Sequence, residues 1–240
     1  MRRRRRPAVA ALVACIALSV AGRARASEAK GYQAAREQLE SSRLRLADDF
    51  AEARTPQERA EVLEQAHRAV LAAMVGRLFP SWLGTRWDFY GTSETPGEGA
   101  IACGYFVSTV LRDAGFRVER VRLAQQASEN IVKTLTPPAQ VRRYRWKRPS
   151  QVVEAVREEL GPGLFVVGLD YHVGFLQVEA ERATFCHSAW LEPATVVCEP
   201  AASALGLESD YTVVGRLLTP SMLTRWLEAR AFPTRGAMRR

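Results

Sequence analysis

Apolar residues recur at three- and four-residue steps through the first third of the chain and fall into short β-branched runs through the last third. Residues 32–53, rich in Ala, Glu, Arg and Leu, predict a first helix. A second follows Thr55-Pro56-Gln57-Glu58, which has the capping-box spacing with proline at the first helical position. Its apolar positions Val62, Leu63, Ala66, Val70, Leu71, Met74, Val75 and Leu78 recur at three- and four-residue steps. After a Gly/Thr/Pro-rich loop the period returns at Phe106, Val107, Val110, Leu111 and Ala114, and Gly115 stands where a helix C-terminus takes positive φ. Residues 118–123 read as a short strand, and 125–135 as a helix ended by Pro137-Pro138. Ser150 reads as the cap of a helix running to Leu160. Strand-like runs then cover 164–169, 171–178, 183–188, 195–198 and 211–218, with a last helix over 221–229. Helices first and strands later predict an α+β fold with a central antiparallel sheet of about five strands.

Composition divides the chain. Five arginines, an apolar run over residues 8–21 and Ala24-Arg25-Ala26 before Ser27 fit a secretory signal peptide over residues 1–26. That run is too short to span a bilayer comfortably. A lipoprotein anchor at Cys15 is the competing reading, weakened by the apolar residues that follow it. Residues 27–79 then form a helical N-terminal arm, and 80–240 the main domain. The expectation is an exported, periplasmic or secreted protein that meets a membrane only through its signal.

Seven of the eight formal positive charges belong to the leader. Without its seven arginines, 27 Lys+Arg face 26 Asp+Glu, and the compositional case for nucleic-acid binding disappears. Arg142, Arg143, Arg145, Lys147 and Arg148, interleaved with Tyr144 and Trp146, read as a solvated basic edge. Anionic wall polymer or lipid headgroups are the partners such an edge would suit in an exported protein.

Three cysteines remain beyond the leader: Cys103, Cys186 and Cys198. The last two are centred on Glu192, beside turn-forming Pro193, and admit two readings, a cross-strand disulfide or two buried thiols. Cys103 opens a buried helix, where unpaired N–H groups favour an anion and a thiol pKa can fall from roughly 8.5 to about 3.5–7.5. Of three histidines, His67 lies on the charged flank of the second helix. His172 and His187 fall on consecutive strands whose turn, if centred near residue 180, sets them nearly opposite each other on one face. The chemistry is a Cys–His–His arrangement: Cys103 as nucleophile, His172 as base, His187 as orienting residue. Zinc is the alternative use of such residues, but no H-x-E or C-x-x-C spacing supports it, so no metal and no cofactor are expected.

These residues resemble the NlpC-type, papain-like cysteine peptidases of bacterial cell walls. Leu83-Gly84-Thr85 and Tyr90-Gly91 echo the family's loop, Cys103-Gly104 its nucleophile, His172-Val173-Gly174-Phe175 its base, and Phe185-Cys186-His187-Ser188 its third member. The family's acid before the nucleophile is Ala102 here. The resemblance implies a papain-like core with the nucleophile at a helix N-terminus. It also implies a thiol hydrolase cutting peptide or amide bonds, with peptidoglycan stem peptides as its target. Trp87, Phe89 and Tyr90 read equally as a subsite wall or as packing beside the core helix, and Trp87, Tyr90 and Gly104 are the residues expected beside a substrate. Amidase or acyltransferase action on another substrate is the alternative within enzymes, and a non-catalytic envelope binding module the alternative outside them.

Overall fold

The computed structural model describes the backbone of residues 8–233 and the side chains of residues 30–233. The leader expected over residues 1–26 lies outside the described side chains. Helices α1 (Ala8–Glu52) and α2 (Pro56–Ala73) form an antiparallel arm, followed by a π-helical turn (Met74–Leu78) and the short α3 (Phe79–Trp82). The capping box is in place: Glu58 N donates to Thr55 Oγ1 at 3.1 Å and Thr55 N to the Glu58 carboxylate at 3.0 Å. The first helix begins at Ala8 rather than near residue 32, because the Ala-rich stretch before it is itself a strong helix former. Among the described residues no helix is long and apolar enough to cross a membrane.

The main body carries α4 (Cys103–Asp113), α5 (Arg120–Ala124), α6 (Ser128–Leu135), α7 (Pro149–Leu160) and α8 (Pro220–Leu227) around one sheet. Its strands are β1 (Val141–Arg145), β2 (Gly163–Gly168), β3 (Val173–Val178), β4 (Ala183–Ser188), β5 (Val196–Pro200) and β6 (Tyr211–Arg216). They lie in the order β1-β6-β2-β3-β4-β5, each pair antiparallel. The protein is therefore α+β, with six strands where about five were expected. The additional strand is the basic stretch itself. Val141 and Tyr144 turn inward while Arg142 and Arg143 turn out to Glu159 and Glu129, both at 2.9 Å. Charged residues on an edge strand discourage pairing with another chain.

Both faces of the sheet are covered, which is why its central strands read as nearly continuous apolar runs. Leu164, Val166, Val173 and Phe175 face α4, α6 and the arm, while Phe165, Val167, Leu176 and Val178 face α7. The arm belongs to the first of these cores. Tyr32 donates from its hydroxyl to Asp113 at 2.7 Å and accepts from Trp82 Nε1 at 3.0 Å, tying α1 to the far end of α4.

Three local expectations fail for identifiable reasons. Residues 118–123 are not a strand: Arg120 and Leu123, three apart, point inward, and Arg120 binds Thr109 Oγ1 and the carbonyls of Thr92 and Ser93. A helical turn satisfies that spacing. The next helix starts at Ser128 rather than 125, after the carbonyl-capped end of α5. Arg148, not Ser150, is the N-cap of α7, because Pro149 occupies the first helical position.

Candidate active site

Cys103 is the first residue of α4, preceded by Ala102 in extended conformation (φ −79°, ψ 159°) with no side-chain cap. Ala102 N donates to Gly91 O at 2.9 Å, and Ile101 N to Arg86 O at 2.9 Å, so the loop before the helix is pinned on both sides. Ser188, fully buried on β4, donates to Ile101 O at 2.6 Å. That bond ties the strand carrying His187 to the backbone two residues before Cys103. Gly104 has a packing role: a Cβ there would lie 2.3 Å from Ala124 O, so glycine lets α5 close one wall of the site.

His172 immediately precedes β3 and His187 lies within β4. They are not opposite each other. Phe175 pairs with Cys186, a register that sets His187 across from Gly174 and makes the histidines diagonal neighbours on one face. The two-residue shift preserves the face, since side chains alternate with period two. Gly174 makes the diagonal approach possible, because a Cβ there would lie 2.7 Å from the Phe185 ring and 2.9 Å from His187 Cβ. The imidazoles meet edge to face, with His172 Nε2 2.7 Å from His187 Nδ1. The His187 ring stacks on Phe185 at 4.4 Å and sits against Gly206, in the 3₁₀ turn Leu205–Leu207.

The chain of contacts continues to a residue the sequence reading missed. His187 Nε2 lies 3.0 Å from Glu199 Oε1 on β5. An ionised carboxylate only accepts, so His187 carries its proton on Nε2 and accepts at Nδ1. His172 then donates from Nε2, and its Nδ1 keeps a free lone pair. Glu199 follows Cys198 as His187 follows Cys186, and the two cysteines are directly paired across the strands and bonded. Of the two readings of these cysteines, the disulfide is the one observed. The cross-link pins the register in which Glu199 reaches His187.

Comparison with known proteins finds no matching family model, curated protein or solved structure.

Cys103 and His172 line one cavity of about 740 Å³, together with Trp87, Tyr90 and Gly104. Phe89, Tyr105, Tyr171 and Trp190 complete an aromatic wall, of which Tyr105, Tyr171 and Trp190 carry no sequence motif that marks them. His67 lies elsewhere, on α2, 3.9 Å from Glu64. Among the described residues no cluster of His, Cys, Asp and Glu is arranged to hold a metal ion.

The electrostatics correct one expectation. Burial raises the Cys103 pKa, and the N–H groups of Val173, Gly104 and Cys103 itself only partly oppose this. The populated thiolate expected at a helix start gives way to a neutral thiol, because burial removes more hydration than three backbone dipoles replace. His172, 5 % exposed, is lowered to about 3 by burial and by the neighbouring His187, and His187, 1 % exposed, to about 4 by burial. Partial burial raises Glu199. The 3.0 Å contact alone would favour an ion pair, but burial disfavours charge on both partners and dominates at the enclosed imidazole. It is a hydrogen bond from neutral imidazole to carboxylate. At neutral pH Cys103 is a thiol and His172 an uncharged imidazole whose tautomer the contact with His187 fixes.

Proposed function

We propose that this protein is an exported thiol hydrolase that cleaves a carbonyl substrate by acyl transfer through Cys103. The observation that carries the reading is the relay from Glu199 through His187 to His172, which leaves a lone pair on His172 Nδ1, together with the placement of His172 and Cys103 on one cavity. The Cys103 proton passes to His172 Nδ1 as Sγ bonds to the carbonyl carbon, so nucleophile and base become charged only together. The oxyanion develops near the Cys103 N–H at the start of α4. Collapse breaks the bond to the leaving group, which takes the proton from His172. Water, deprotonated by the same nitrogen, then releases the acyl group and returns the proton to sulfur. Cys103 and His172 touch the reacting atoms, while His187 and Glu199 are positioning residues.

The papain-like core and the peptide or amide bonds of peptidoglycan stem peptides come from the motif resemblance. The disulfide is in keeping with an oxidising, exported setting. Mass spectrometry of products from a muropeptide mixture tests the target, with Cys103→Ala as control. New fragments that vanish in the variant are the expected result. Equal digestion by Cys103→Ala would refute the mechanism.

A further inference from the structure

The cavity beside Cys103 is unusual in what its walls lack. Among the described residues that line it, none carries an Asp, Glu, Lys or Arg side chain. Trp87, Phe89, Tyr90, Tyr105, Tyr171 and Trp190 supply most of its surface, and Thr92, Gln125 and Gln126 are the polar residues besides the catalytic pair. Gln125 is already engaged, donating to Tyr105 Oη at 3.2 Å. Four of the aromatics are held out towards solvent: Tyr171 is 98 % exposed, Tyr90 84 %, Phe89 72 % and Trp190 56 %. Apolar side chains gathered in the open around a nucleophile mark a surface kept for a ligand rather than for the fold.

The chemistry of the lining selects among ligands. A carboxylate or ammonium beside the scissile bond would be desolvated against aromatic faces with no counter-ion, which is costly. A sugar ring presents many hydroxyls, each needing a partner, and here Thr92, Gln126 and the Tyr and Trp ring groups are all that could serve. A hydrocarbon chain needs none. We propose that the acyl group delivered to Cys103 is an uncharged hydrocarbon chain, held by the aromatic wall, so that the preferred substrates are apolar acyl esters, thioesters or amides. This rests on the thiol-hydrolase step of that reading and departs from the stem-peptide target that the resemblance implies. The acyl carbon bonds to Cys103 Sγ, its bond to the oxygen, sulfur or nitrogen leaving group breaks, and water converts the thioester to a free acid. Cuts at diamino-acid linkages, which bring charge to the acyl side, become poor reactions.

The test is a series of p-nitrophenyl esters, acetyl through octanoyl with the negatively charged succinyl ester beside them, each below its micelle concentration and corrected with Cys103→Ala. Burying a methylene contributes about 0.8 kcal/mol, or roughly fourfold. The expected result is a kcat/KM that climbs by about three- to fourfold per methylene and a succinyl ester slower than butanoyl by at least about tenfold. Trp190→Ser and Tyr171→Ser are expected to lower the octanoyl-to-acetyl ratio by about tenfold. Cys103-dependent turnover that is flat with chain length, or fastest for succinyl, overturns the acyl-chain proposal and leaves the hydrolase intact. An octanoyl-to-acetyl ratio unchanged in both serine variants overturns it too. No Cys103-dependent turnover and no acylated Cys103 by mass spectrometry overturns both.

Discussion

Gly206 offers a sharp test of the relay, because it touches the orienting histidine and performs no chemistry. A Cβ built there would stand 2.4 Å from His187 Cε1, 3.0 Å from Nε2 and 3.2 Å from Nδ1. Carbon atoms in ordinary contact sit about 3.5–4.0 Å apart, so Gly206→Ala must drive the ring back by roughly 1 Å or more. The ring has little freedom, since Phe185 stacks on its face at 4.4 Å and its two nitrogens make bonds of 2.7 and 3.0 Å. Lengthening either by 1 Å carries it past hydrogen-bond range. His172 then loses the partner that fixes its tautomer. A misplacement of this size costs about 100-fold in rate, or roughly 2.7 kcal/mol of barrier. The backbone at Gly206 is outside the left-handed region, so alanine adds no dihedral strain there. The expected outcome is a kcat on p-nitrophenyl acetate lowered by about 100-fold with KM changed little, while circular dichroism shows an intact fold. A kcat within about threefold of wild type, with the fold intact, would refute the claim that the seat of His187 controls the base.

Three further outcomes follow from the same site. Glu199→Gln keeps an acceptor for His187 but removes the charge that supports a transient imidazolium, so kcat should fall by roughly tenfold and the acidic limb of the pH–rate profile should change; an unaltered profile would remove Glu199 from the relay. Because burial raises Cys103, iodoacetamide labelling should accelerate only at a pH above that needed by a free cysteine standard, and a fast plateau from about pH 5 to 8 would instead reveal a resting ion pair. His172 and His187 are buried neutral with pKa values pushed below 6.5, so the unfolded chain binds more protons in acid. Their contribution is full above about pH 6.5 and is lost as pH falls towards 4 and 3, by about 2 kcal/mol each at pH 5, partly offset by the raised Glu199. Urea titration of wild type and His187→Gln at pH 7 and 5 checks this; an equal loss in both proteins would place the acid sensitivity elsewhere.

Much of the site is visible in the sequence because its members mark themselves. Cys103 heads an apolar helical run, and His172 and His187 are two of only three histidines, on runs that alternate as strands do. Their exact partners are less visible. A turn midway between them centres on 179.5, whereas Phe175–Cys186 and Val178–Ala183 centre on 180.5, and register depends on the turn rather than on the strands. Glu199 is hidden for a different reason. It lies one residue before the end of a short strand, beside Pro200, and nothing local distinguishes it from a solvated glutamate until the disulfide fixes its neighbour. The protonation of Cys103 needs the whole fold, since a helix start is a local feature and burial is the sum of everything packed above it. Residues 118–123 mislead because valine and leucine suit a strand, while the inward pull on Arg120 is tertiary.

The sheet order has a consequence for how this protein is made. β6 is the last strand in the chain, yet it lies between β1 and β2 in the interior of the sheet. α8 follows it and meets the arm, where Arg43 donates to Leu227 O across 184 residues of sequence. A chain emerging from the ribosome with its N-terminus first holds an open slot in its sheet, and an arm without its partner, until the final strand and helix arrive. Closing such distant contacts is slow. Cys103, made halfway along, waits in an unfinished scaffold until then. A truncation before β6 removes not the margin of the sheet but a strand from its middle.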